Sequence, residues 1–265
     1  MFARLASTFF AAWLALSAPA DSGLHYKAEV SLANTFSIEV RVAGDRARLD
    51  IQSSNDPSLV AGTTLLTPDR GDTFVVVDSA RREYFSLPRS AIVGFKQREA
   101  DRLRVTADPI SSEKIGEDQG PYIAGYSTRH LRFHLRLASH QARGAGDFNT
   151  TIEVFEHFWL AGQLPQHNTD LIMLSDSSTT GLPALDAFLR GQLLELPGFL
   201  LKRSVVITTD DSASNHRIDR SSYEVKELAV ADSPPEMFQV AEGFHVRGSQ
   251  ATPSAPPPAP GARPR

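Results

Sequence analysis

Strict alternation of apolar and polar residues, sustained over nine positions near the start of the chain, restricts the fold more than any other feature. Leu24, Tyr26, Ala28, Val30 and Leu32 alternate with His25, Lys27, Glu29 and Ser31. A period of two places one set of side chains on a dry sheet face and the other in water. Phe36, Ile38, Val40 and Val42 repeat the pattern. After the turn Ala43-Gly44-Asp45, so do Ala47, Leu49 and Ile51. Three such strands with short connections predict an antiparallel meander.

The same rhythm returns in shorter pieces. Thr63–Leu66, Thr73–Val77 and Glu83–Leu87 are separated by turn-rich segments and read as hairpins. Ala107 to Gly120 is polar and has room for strands with a less apolar face. Leu131, Phe133, Leu135 and Leu137 alternate with Arg132, His134 and Arg136, the cleanest strand of the middle. Thr150–Phe158, Phe199–Thr209 and Ser221–Ala229 complete the series. One helix interrupts it. Gly181-Leu182-Pro183 opens the helix, and Pro197-Gly198 stops it. Leu185, Phe188, Leu189, Leu193 and Leu196 form an apolar side at helical spacing, suited to covering a sheet face.

The two ends read differently. Arg4, the apolar run Leu5–Leu16 and Ala18-Pro19-Ala20 follow the order of a secretory signal, with cleavage expected after Ala20. No later segment approaches a membrane-spanning run of ~20 apolar residues. Residues 248–265 hold six of the 17 prolines and no large apolar side chain, so they predict an extended tail. The expected organisation is a signal at 1–20, one β-rich domain at 21–247 and the tail. That domain carries 24 basic and 31 acidic residues, a net charge of −7. Such a balance speaks against a general nucleic-acid binder. With no cysteine, the chain has no disulfide, thiolate metal site, cysteine nucleophile or N-terminal lipid attachment.

The order of several short pieces resembles the bacterial envelope superfamily of lipoprotein carriers, the LolA/LolB-like half-barrels, and within it the uncharacterised exported members. These pieces are Leu24–Val30, Arg46–Asp50, Glu83–Pro88 (Glu-Tyr-Phe-Ser-Leu-Pro), Ile123–Leu131, Val154–Pro165, Gly198–Arg203 and Pro235–Phe244. The resemblance implies a mainly β fold: a strongly curved antiparallel sheet, or half-barrel, with a few covering helices. In some relatives the cavity holds acyl chains. The chain lacks the lipidated cysteine of the lipoprotein members, and lipoprotein transport does not carry over.

Several residues have the spacing of reactive or ligating groups. His130 and His134 lie four apart on a strand, ~13 Å of rise, too far to share a metal. Ser111 and Lys114 have the spacing of a serine–lysine pair but no helical surroundings or companion motifs. Gly125-Tyr126-Ser127-Thr128-Arg129 lacks the second glycine of a nucleophile elbow. Asp69 with Asp72, and Asp210 with Asp211, offer oxygens for calcium but sit in apparent turns, where Asp serves the backbone. Glu153 and Glu156 make an acid pair only if the fold sets them across a cleft. His130, Arg132, His134 and Arg136 form a cationic stripe, either for anionic headgroups or matched by acids on neighbouring strands.

These readings, with the resemblance, lead to an exported, non-enzymatic protein of the periplasm or cell envelope, without cofactor or metal. It would hold a lipid or other hydrophobic small molecule in the half-barrel. The expected lining is Phe36, Ile38, Val40, Leu131, Phe133, Leu135, Trp159, Leu185, Phe188 and Leu189. The alternative is a ligand-free structural or interaction module with an envelope protein partner; an unrecognised hydrolase ranks last. No transmembrane span is expected after signal cleavage.

Overall fold

The computed structural model describes residues 22–31, 34–57, 60–108, 110–143, 146–165, 180–213 and 215–247; the expected signal at 1–20 and the expected tail at 248–265 lie outside these. The alternating segments become strands β1 (Ser22–Ser31), β2 (Thr35–Ala43), β3 (Arg46–Ser54), β4 (Thr63–Thr67), β5 (Thr73–Asp78) and β6 (Glu83–Pro88). Helix α1 (Arg89–Arg102) follows, then β7 (Val105–Ala107), β8 (Ser111–Gln119), β9 (Arg129–Arg143) and β10 (Gly146–Ala161). Helix α2 (Pro183–Leu194), β11 (Phe199–Asp211), β12 (His216–Asp232) and β13 (His245–Val246) complete the described elements.

All the described strands belong to one mainly antiparallel, strongly curved and unclosed sheet. Its order is β13-β6-β5-β4-β3-β2-β1-β12-β11-β10-β9-β7, with β8 also paired to β9. The first and last long strands, β1 and β12, pair at its centre, so the amino- and carboxy-terminal halves are joined by direct backbone hydrogen bonds. Register shifts at Lys27/Ala28, Ser37/Ile38, Lys114/Gly116 and Trp159/Leu160 supply bulges. Bulges bend a strand and raise its twist, which is how so wide a sheet curls.

The parity expected from the sequence holds. Leu24, Tyr26, Ala28, Val30, Phe36, Ile38, Val40, Ala47, Leu49 and Ile51 are buried on one face, here called the inner face. His25, Arg41, Glu39, Arg48 and Asp50 lie on the other and form a ladder of ion pairs across β1–β3. The core centres on Tyr26, whose ring meets Phe199 edge-on at 5.3 Å. Leu193, near the end of α2, and Leu196, just beyond it, join that core. Arg190 of α2 donates to the Arg70 carbonyl in the β4–β5 turn, 3.1 Å away. Asp186, buried near the start of the helix, accepts hydrogen bonds from Thr180 and Gly181. Helix α2 is therefore fastened at both its ends. Gly181 has φ +84°, and a Cβ there would lie 2.3 Å from the Lys96 carbonyl of α1. The start of α2 thus packs backbone to backbone against α1 at a position that only glycine fits.

Helix α1 departs from the sequence reading. It has no apolar stripe: only Ala100 is buried, Ile92 packs on the core, and Phe95 stays exposed. The polar stretch 107–120 does hold a strand, β8, almost wholly exposed on the edge of β9, while β7 ends at its first residue, Ala107. Beyond β12, the 3₁₀ turn Pro235–Phe238 lies against β3, where Arg46 covers the Phe238 ring. Strand β13 then pairs in parallel with β6.

Candidate functional site

Strand parity fixes which side chains meet across β9–β12. Cross-strand partners share a face, and Leu131, Phe158, Arg203, Tyr223, Val30 and Phe36 form one continuous inner row. Every member but Arg203 is apolar or aromatic. The adjacent row runs Phe133, Glu156, Val205. These two rows therefore place one carboxylate and one guanidinium side by side among apolar side chains.

Glu156 is 1% exposed. Its Oε1 accepts a hydrogen bond from the Arg203 guanidinium, which also lies over the Phe158 ring at 5.6 Å. The Glu156 Oε2 and Arg203 Nε atoms are buried with no hydrogen-bond partner. Buried polar atoms are nearly always partnered, because leaving one dry costs ~1–3 kcal/mol or more. The pair therefore presents one unused acceptor beside one unused donor. The sequence contained the signal: Glu156 occupies the apolar parity of Ile152, Val154 and Phe158, and Arg203 that of Leu201 and Val205. A charge out of phase with its strand is informative even when no motif surrounds it.

The expected lining residues separate into three groups. Phe36, Ile38, Val40, Leu131 and Leu135 are each 3% exposed or less on the inner face. Phe133 is partly buried there and meets Phe158 edge-on at 5.8 Å. Leu185 is buried on α2, while Phe188 and Leu189 are only half-buried. Trp159 lies on the other face: it pairs with His130, one residue out of phase with Phe158.

That outer face holds the second cluster. The His130 and Trp159 rings are parallel at 4.4 Å, and Lys202 lies over the indole from β11. His130 Nδ1 is 2.9 Å from Asp118 Oδ1, and its Nε2 is 2.9 Å from His157 Nδ1. Arg132 donates to the second Asp118 oxygen; Gly116 leaves the space its guanidinium fills. His134 stacks on Phe155 at 4.5 Å, away from His130. The cationic stripe is thus answered by acids, with Asp118 opposite His130 and Arg132, and Glu153 3.8 Å from Arg136. Sequence spacing hid the His130–His157 contact, which depends on the β9–β10 register.

Other candidates fall into structural roles. Ser111 and Lys114 lie on the exposed strand β8. Asp69 accepts from the Thr73 N–H and the Thr67 hydroxyl, and Asp211 from Ala213 and Asn215, so both carboxylates hold turns. Glu153 and Glu156 point to opposite faces and make no acid pair.

Burial, and then the charges of His130 and Arg132, hold the His157 pKa below the ordinary imidazole range; Asp118 opposes them. The unfolded chain then binds the proton more tightly, with a pKa near ~6.5. Stability from this group is complete above that value and is lost as pH falls from it toward the lower folded value. Urea midpoints measured between pH 7.5 and pH 5 should decline, and His157→Phe should flatten the slope. Equal slopes in the two proteins would contradict the assignment.

No family model matches the chain, and no curated protein does. Among solved structures, an uncharacterised conserved protein from Thermus thermophilus aligns at a TM-score of 0.37 and 8% identity, covering 85% of this chain and 90% of that one. A "putative lipoprotein" from Parabacteroides distasonis aligns at 0.28 and 9%, covering 80% and 97%. Neither likeness is strong enough to bear on fold or function, and the resemblance to lipoprotein carriers gains no support from them.

Proposed function

We propose that this is an exported, non-enzymatic envelope protein that holds an amphipathic lipid on the inner face of its half-barrel. The observation that carries the reading is the Glu156–Arg203 pair, set among Leu131, Phe133, Phe158 and Val205 with one donor and one acceptor unused. An ion pair in a dry face is a poor source of stability, since apolar residues of similar size often do as well or better. A polar head supplying both a donor and an acceptor would satisfy the two free atoms. Its acyl chain would lie along Phe133, which is only partly buried. A hydroxyl or amide head fits better than a free carboxylate, which Glu156 repels. Export rests on the signal pattern at residues 1–20. Among the described residues, no helix is long and apolar enough to cross a membrane.

The competing reading is a ligand-free envelope module. The tight closure of Phe36, Ile38 and Val40 on β2, and of Leu131, Leu135 and Phe158 on β9 and β10, favours it. Native mass spectrometry of protein purified without detergent separates the two. The lipid reading expects a discrete lipid adduct on the mature chain, lost in the Glu156→Leu/Arg203→Met double variant. A bare mature mass would leave the module.

A further inference from the structure

We propose that helix α1 docks the domain on an anionic lipid bilayer through an exposed stripe of Phe95, Arg98 and Arg102, with Arg104 just beyond the helix. At about 100° per residue, the three helical positions fall within about 60° of one another. Phe95 is 60% exposed, and all three arginines are exposed. Among the described residues, no carboxylate pairs with Arg98, Arg102 or Arg104. Glu99 is engaged by Lys96, and Asp101 stands about 60° beyond Arg98, off the stripe. Cations of the sheet are neutralised instead: Lys27 by Glu227, Arg132 by Asp118, Arg217 by Asp219. Residues 89–104 thus hold five cations and two acids on a domain of net charge −7.

The fold does not account for this stripe. Packing uses Ala100 and Ile92, on another side of the helix. The helix dipole explains a cation in the last turn, Arg102, but neither Arg98 nor an exposed Phe95. A bilayer surface explains all of them. Guanidinium groups bind phosphate oxygens in a bidentate fork, and a cluster of them is drawn to an anionic leaflet. A phenyl ring among those arginines leaves water at the boundary between headgroups and acyl chains. With no continuous apolar stripe, α1 lies on the surface through charge and one ring and does not insert. Its place in the fold gives the contact a direction. Helix α1 joins β6 to β7, which stand beside and at opposite ends of the strand order. Docking through α1 turns the unclosed side of the sheet toward the bilayer, while the acidic remainder of the domain is repelled from it. The inference stands whether or not the inner face holds a ligand.

Co-sedimentation of the mature protein with vesicles tests this. Vesicles of equal parts phosphatidylglycerol and phosphatidylcholine should bind it, with binding weakened by added salt, and pure phosphatidylcholine should not. Arg98→Gln/Arg102→Gln should weaken binding by about tenfold or more. Arg136→Gln/Arg217→Gln removes the same charge from exposed, paired cations of the sheet and should leave binding unchanged. Equal losses from the two double variants, or no binding to the mixed vesicles, would overturn the proposal. Phe95→Trp in a Trp159→Phe background keeps every arginine, so it reads the contact even if a glutamine variant fails to fold. Its emission should shift to the blue on the mixed vesicles, and an unmoved spectrum would overturn the contact at α1. Polyglutamate competing as well as the vesicles at equal charge would make the partner an acidic chain and overturn the bilayer.

Discussion

Replacing Arg203 with methionine should cost about 3 kcal/mol of stability, and adding Glu156→Leu should return most of it. In the single variant the Glu156 carboxylate stays 1% exposed with its cation removed. Breaking a buried pair from one side typically costs ~3–5 kcal/mol, because an uncompensated charge remains in the interior. The lower end applies here: the Arg203 side chain is 29% exposed, so water already shares part of its charge. In the double variant the new leucine side chain lies between Phe133 and Val205, both apolar, and no charge is left to desolvate. Urea denaturation checks both values. If Arg203→Met loses under about 1 kcal/mol, the pair does not hold Glu156 in its charged, buried state. If the double variant is no better than the single one, packing rather than charge is responsible.

A second contrast tests the register of β9. Phe133→Asp should destabilise by about 3–5 kcal/mol, against about 1 kcal/mol or less for Arg132→Asp. Phe133 packs on the core and meets Phe158 edge-on. Its removal forfeits aromatic burial, and the new carboxylate falls directly opposite Glu156, where like charges repel. Arg132 faces the other way. Its ion pair with Asp118 is partly exposed, and such pairs contribute ~0–1 kcal/mol. Similar losses from the two variants would place β9 one residue out of register, which inverts every side chain on a strand.

How much of this is legible in the sequence follows from how each interaction is encoded. Period-two alternation is local, and it places β1–β3 and β9 and assigns the dry face of each. The apolar spacing of α2 and its Pro183 start are equally local. Helix α1 escapes because a helix with one buried residue leaves no periodic apolar trace; its position depends on Gly181 and Ile92 meeting partners from elsewhere in the chain. Trp159 does not belong to the lining with Leu131 and Phe133, because its neighbour Phe158 holds the inner parity. Adjacent residues on a strand cannot both face inward. Both charged clusters are cross-strand constructions. Glu156 meets Arg203, 47 positions away, and His130 meets His157, 27 away, only once the β9–β10–β11 register is set. Glu156 nevertheless leaves a readable mark, a carboxylate between Val154 and Phe158 on the apolar phase of its strand.

The central claim, that the inner face takes an amphipathic ligand, is tested most directly by a fluorophore at Phe188. This side chain is half-buried on the helix, whereas Leu193 and Leu196 are fixed in the core. Phe188→Trp in a Trp159→Phe background leaves the mature chain a single tryptophan there. Titration with monoolein should shift its emission saturably, with a midpoint in the low micromolar range, ~8 kcal/mol of binding free energy. Oleate should bind more weakly, because its carboxylate meets Glu156. The Glu156→Leu/Arg203→Met variant should lose the preference between the two. An emission spectrum unmoved by either lipid up to its solubility limit would contradict the claim and leave a ligand-free envelope module in its place.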